Sequence, residues 1–244
     1  MTRINRMVVQ YRDKWRTKAS DIVSFIEDTG ISIEELLTEY KGDYFVDGQE
    51  KAPVFRAVLS SRLSEQQLQY LDNRCGKHYS HFRDSRSGAE YAADLIISWV
   101  QEDALLGMMT RAGLKVELDG TDKYRELLKP GEISSASDFV IKDGAVSRKL
   151  ELAYDVTGYW RRTGKFDLRD SKFDRLVNEN SIILGVAILT REAFVIDTAK
   201  MDGISIVSIP HHPVYKKPAK TLIGIDQLLL PFNLMLSSLK TIIR

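Results

Sequence analysis

The chain is nearly without cysteine. Cys75 stands alone among 244 residues, which excludes an intramolecular disulfide framework and a cysteine-rich zinc site, and makes a reducing, cytoplasmic compartment the expected one. Long apolar runs are missing too. None approaches the ~20 residues that a bilayer-spanning helix needs, and the opening stretch, Met1 to Arg6, is basic and polar, unlike a secretory leader. No membrane partner is expected. Nor is there an excess of one charge. Lys+Arg is 35 and Asp+Glu is 34, so no global positive field argues for nucleic acid, although basic groups lining one cleft would suffice. A phosphate-binding glycine loop, a nucleophile elbow, a metalloprotease helix motif, internal repeats and low-complexity tracts are all absent, which sets aside the chemistries those motifs serve. What remains is an ordinary globular composition. The hydrophobic fraction is 43%, enough to fill a core for one large domain or one and a half.

The most informative stretch is 137–157, SDFVIKDGAVSRKLELAYDVT. It predicts a β-hairpin, because Asp143 and Gly144 form a tight-turn dipeptide between apolar positions at strand spacing. Side chains alternate along a strand, so Leu150, Leu152, Tyr154 and Val156 share one face, a core face. Lys149, Glu151, Ala153, Asp155 and Thr157 share the other, beside Asp138 of the partner strand. Carboxylates gathered this way repel each other unless a cation lies between them. Hard oxygen ligands of this type suit Mg²⁺.

This hairpin resembles the active-site core of the PD-(D/E)xK nuclease superfamily, to which many type II restriction endonucleases belong. Ser137 and Asp138 stand for the "PD" pair, and Glu151-Leu152-Ala153 stands for the "ExK" triplet, with Ala153 where lysine is expected. Sliding the match to Asp155-Val156-Thr157 does not restore the lysine. The resemblance implies Asp138 and Glu151 as metal ligands, with Glu90 as an outer ligand from a helix that precedes the hairpin. Ser87 and Glu90 equally form a capping box, which needs no metal. The apolar runs 181–189 and 193–197 fit the strands that such a core places after its next helix. For the missing lysine the candidates are Lys149 by strand adjacency, then Lys165, then Lys172.

Residues 158–175 interleave Arg161, Arg162, Lys165, Arg169, Lys172 and Arg175 with Tyr159, Trp160, Phe166 and Phe173. Guanidinium and ammonium groups suit phosphate oxygens and base edges, so Arg161, Arg162, Lys165, Arg169 and Lys172 are candidate DNA contacts. The segment reads as a glycine loop that becomes helical near Leu168; the bland alternative is a solvated amphipathic helix. Residues 1–84 read as a separate helical region, with helical spacing over Asp21–Glu27, Ile33–Tyr40 and from Ser64 to about Asn73. The Thr29-Gly30-Ile31-Ser32 turn resembles a helix-turn-helix, but Glu34, Glu35 and Glu39 would repel phosphates. The basic stretch from Arg12 to Lys18 reads as a solvated helix face. His78, His81, His211 and His212 have no carboxylate or cysteine cluster around them. The tail from Ile225 to Ile243 reads as an apolar helix interrupted by Pro231, a core helix or a dimer seam.

The expectation is therefore an α/β fold, a central mixed β-sheet flanked by helices over 85–244, restriction-endonuclease-like, behind the helical region 1–84. The expected activity is Mg²⁺-dependent hydrolysis of DNA phosphodiesters by a type II site-specific endonuclease, with double-stranded DNA as partner. Asp138, Glu151, Lys149 and Lys165 are its expected catalytic residues. The family resemblance implies a homodimer on a palindromic site. A catalytically inactive DNA-binding or assembly module and a structure-specific repair nuclease are the competing readings.

Overall fold

The computed structural model describes residues 19–32, 88–120, 123, 136–143, 146–210 and 219–243. The helices expected over 33–40 and 64–73, the stretch 12–18, Gly144 of the hairpin turn, all four histidines and the Glu90 side chain lie outside them. The chain divides into two compact units, Met1–Arg111 with Gly120–Ser134, and Ala112–Asp119 with Ser135–Arg244.

In the first unit, helix α1 (Ala19–Asp28) buries Phe25 and Ile26 completely. Gly30 ends it with φ +77°, a left-handed conformation that glycine adopts without steric cost. The following Ile31 packs on Gly107 of helix α2 (Gly88–Arg111), where any side chain would collide with it. Arg111 closes the corner by donating to the Gly30 carbonyl oxygen. The long helix expected to open near Ser87 is present, and it belongs to this unit.

The second unit is built on a mixed sheet of six strands. These are β1 (Lys115–Leu118), β2 (Phe139–Asp143), β3 (Val146–Asp155), β5 (Ile182–Ala187), β6 (Glu192–Asp197) and the short β9 (Leu230–Pro231), side by side in that order. The β2–β3 hairpin and the two later strands match the sequence reading. Among the described strands only β3 and β5 run parallel, and a parallel pair needs a long crossover. The crossover consists of α3 (Tyr159–Thr163), β4 (Lys165–Arg169) and α4 (Asp170–Asn178).

The sequence reading placed a loop and then a helix near Leu168 in this crossover. The strand β4 wins because its residues alternate: Phe166 is buried, Leu168 packs against the core, and Lys165 and Arg169 face out. Strand β4 joins β8 (Lys220–Gly224) and β7 (Ile206–Ile209) in a second, antiparallel sheet of order β4-β8-β7 that the sequence reading did not foresee. The C-terminal helix is also shorter than expected. Helix α5 runs from Met235 to Ile243, preceded by a 3-10 turn at Phe232–Leu234. Pro231 has no N–H and takes φ −54°, ψ 138°, so it sits in the edge strand β9 and not in a helix. No helix among the described residues is long and apolar enough to cross a membrane.

The three-stranded layer and its helices seal one face of the large sheet. Trp160, Phe166, Leu176, Ile223 and Ile225 pack on Ile183, Ala187, Phe194 and Ile196. Trp160, Phe166 and Phe194 meet with ring centroids 5.0–5.5 Å apart, the Trp160–Phe166 pair edge to face. The opposite sheet face buries Phe139, Ile141, Leu150, Ile182, Leu184 and Val186, with α5 packed on β6. Helix α4 is fixed at both ends. Asp170 accepts hydrogen bonds from Thr221 Oγ1 at 2.5 Å and Ser208 Oγ at 3.2 Å, while Arg148 donates to the carbonyl oxygen of Asn180, just past the helix.

Arg148 also pairs with buried Asp197. Burial alone would raise the Asp197 carboxyl, but the Arg148 hydrogen bond and the Ala199 N–H outweigh it and hold the group below the ordinary aspartate value. Its contribution is therefore present above the aspartate range and lost as pH falls through it. Arg148→Met is expected to cost about 3 kcal/mol at neutral pH. Urea denaturation at falling pH should show the gap to wild type closing; a gap independent of pH would mean the pair contributes no charge energy.

Candidate functional site

The ladder registers assemble the site. Leu118 pairs with Phe139, and Phe139 with Leu150. One step further along, Asp119, Asp138 and Glu151 line up in one row across three neighbouring strands. Paired residues in register share a sheet face, so all three carboxylates project to the side covered by α4. The row is tied together by the Asp119 N–H, which donates to the Asp138 carbonyl oxygen at 2.8 Å, and by the Leu152 N–H, which donates to Asp138 Oδ2 at 2.6 Å. The register thus sets the Asp138 and Glu151 side chains beside each other across the hairpin. Two carboxyls so close require a proton or a cation between them.

Glu151 is 1% exposed. Burial is the main reason its carboxyl is raised above the ordinary glutamate value, against the pull of Lys172, Arg175 and the Asp138 contact. Lys172 Nζ pairs with Glu151 Oε1, and Arg175 Nη2 lies 3.5 Å from Oε2. Both cations stand on α4, three residues apart and so on one helix face. Lys149, expected near Asp138, pairs with Asp119 on the neighbouring strand. The carboxylate row is thus flanked by Lys149 at one end and by Lys172 and Arg175 at the other.

Asp155, the alternative centre of the strand, is committed elsewhere. Its Oδ1 accepts from the Thr157 N–H at 2.8 Å and the Thr157 hydroxyl at 2.9 Å, and its Oδ2 accepts from the Trp160 N–H at 2.8 Å. Asp155 fixes the turn out of β3 and the start of α3. Lys165 and Arg169 lie exposed on β4, on the face that also carries Asp167, which pairs with Lys220. Arg161 pairs with Glu192 at 3.0 Å, and Arg162 is exposed on α3. Of the expected site residues, the fold joins Asp138, Glu151 and Lys172, with Lys149 at the edge of the row on Asp119. Glu90 lies in α2, its side chain outside the described residues.

Two residues escaped the sequence reading, Asp119 as part of the row and Arg175 as a neighbour of Glu151. The signal for Asp119 was the short alternating strand over Lys115–Leu118 followed by Asp119-Gly120, a turn dipeptide.

Among the described residues no group of three or more His, Cys, Asp or Glu side chains is arranged to hold a metal ion. The pair Asp138 and Glu151 still suits Mg²⁺, which takes one or two carboxylates and keeps several waters. Glu151 Oε2 is buried with no hydrogen bond, which leaves its lone pairs open to a cation. Comparison with protein-family models and with curated protein sequences gives no match to the chain.

Proposed function

We propose that the chain is a Mg²⁺-dependent endonuclease of the PD-(D/E)xK kind, acting on double-stranded DNA as a site-specific type II enzyme. The observation that carries this reading is the register that sets Asp138 beside Glu151 across the β2–β3 hairpin, with Lys172 brought onto Glu151 by the crossover helix. The hairpin, the helix after it and the strands that follow that helix are the parts that the resemblance implies. Asp138 and Glu151 would hold Mg²⁺, which when bound supplies an acidified water and offsets charge on the leaving oxygen.

The chain's own residues do the rest. The Leu152 N–H holds Asp138 in place, and α4 brings an ammonium to the carboxylate pair without a lysine in the strand. Lys172, third in the sequence order behind Lys149 and Lys165, would serve in place of the motif lysine, a role its pairing with Glu151 supports. Arg161, Arg162, Lys165 and Arg169 offer cations for the DNA backbone, a sequence-independent contribution that weakens with salt.

Supercoiled plasmid with Mg²⁺, and with chelator as control, tests the proposal. Discrete fragments are expected, from a homodimer cutting both strands of a palindromic site. Smearing would favour a repair-type nuclease. Plasmid that stays supercoiled while the chain binds Mg²⁺ would overturn catalysis and leave a DNA-binding or assembly module.

A further inference from the structure

We propose that Arg175 is a catalytic residue of this site, gripping a non-bridging oxygen of the phosphodiester through its guanidinium fork; the inference rests on the nuclease reading above. Arg175 lies on α4 one turn after Lys172, with its side chain 18% exposed. Two carboxylates stand near it, and neither is properly bonded. Nη2 is 3.5 Å from Glu151 Oε2, and Nη1 is 3.7 Å from Glu179 Oε2. Nε and Nη2 are buried without any hydrogen bond, and so is Glu151 Oε2.

A purely structural arginine–carboxylate pair closes to about 2.8 Å, usually through two parallel hydrogen bonds. Leaving several buried donors unbonded costs about 1–3 kcal/mol for each group. A guanidinium held at this distance, with two donors unused, is placed for an acceptor other than Glu151. The charge balance points the same way. Once the carboxylates of Asp138 and Glu151 neutralise a divalent cation, Lys172 and Arg175 lose Glu151 as a counter-charge. A phosphodiester bound there supplies one negative charge and two non-bridging oxygens. Arginine's planar fork matches that oxygen pair, whereas the point charge of Lys172 suits a single atom. Lys172 and Arg175 thereby divide the work, and the substrate class that follows is a phosphodiester anion and not a neutral ester.

The test uses the full chain in excess over supercoiled plasmid, with Mg²⁺. Arg175→Met is expected to slow conversion of the plasmid by ~10²–10³-fold, the scale of losing one donor to a developing oxyanion. Arg175→Lys should recover part of the rate. Calorimetric titration with Mg²⁺ alone should show affinity unchanged or tighter in Arg175→Met, since a positive charge beside Glu151 has gone. Cleavage at the wild-type rate would overturn the proposal. So would loss of Mg²⁺ binding in step with cleavage, because Arg175 would then be acting through Glu151. If Arg175→Met does not fold, Arg175→Gln is read by the same two measurements. Failure of the wild type itself to cut plasmid overturns the nuclease reading, a result distinct from either of these.

Discussion

Glu151→Gln and Asp138→Asn are each expected to abolish plasmid cleavage, by about 10³-fold or more, with circular dichroism and urea midpoints expected to show the fold retained. The size follows from the several kcal/mol of charge stabilisation that a correctly held metal contributes, at 1.36 kcal/mol per tenfold in rate. The amide variants are chosen because they keep side-chain volume in a site where Glu151 is 1% exposed. Glu151→Gln also removes a buried carboxyl whose charged form is disfavoured by burial, so a folding failure is not expected. DNA binding measured without Mg²⁺ should tighten in both variants, since a charge that repels phosphate is gone. Asp155→Ala is the contrast. It strands the N–H groups of Thr157 and Trp160, at about 1–3 kcal/mol each. It should lower the urea midpoint while the folded fraction still cuts. A cutting Glu151→Gln beside a folded, inactive Asp155→Asn would move the metal centre four residues along β3.

The same residues show what the sequence could and could not say. The hairpin, its two faces and the strands after it were legible because strand periodicity is local: a period of two over ten residues fixes which side chains share a face. The row of Asp119, Asp138 and Glu151 was only two-thirds legible. Asp138 and Glu151 meet through one tight turn, whereas Asp119 arrives from a strand nearly twenty residues earlier, and its register is set by pairing and not by any motif. The crossover was misread because KFDLR is both a short alternating strand and the opening of a basic helix. Its choice depends on a partner, β8, more than fifty residues away. Lys172 could be named as a candidate but was ranked last of three, because its reach to Glu151 depends on that strand turning α4 over the sheet. Asp155 looked equivalent to Glu151 by alternation. What separates them is the turn after β3, where the Thr157 and Trp160 N–H groups saturate one carboxylate and leave the other to Lys172 and Arg175.

Putting the motif lysine back is expected to fail, and the reason lies in the packing around Ala153. Ala153 pairs with Gly185 and Gly185 with Phe194, so the three form the next row but one toward the C-terminal end of β3. The Phe194 ring lies so close over Gly185 that even a methyl group there would collide with it. Ala153 itself packs against the cluster of Trp160, Phe166 and Phe194. Ala153 is partly buried, and the side of it that meets the core is lined by aromatic rings. Ala153→Lys would press four methylenes against those rings, costing about 1–3 kcal/mol from overpacking. On the nuclease reading, the ammonium would come instead from α4. Lys172→Met, which keeps most of the side-chain volume, should therefore lower the cleavage rate by at least ~10²-fold, the scale for losing a positioned catalytic group. Lys149→Met and Lys165→Met should each have a much smaller effect, because one cation sits on Asp119 and the other is exposed on β4. The double variant Lys172→Met with Ala153→Lys should stay inactive and unfold at lower urea than either parent. Recovery of cleavage in that double variant would show that a lysine can reach the site from β3 after all. The aromatic cluster would then not explain its absence from the motif.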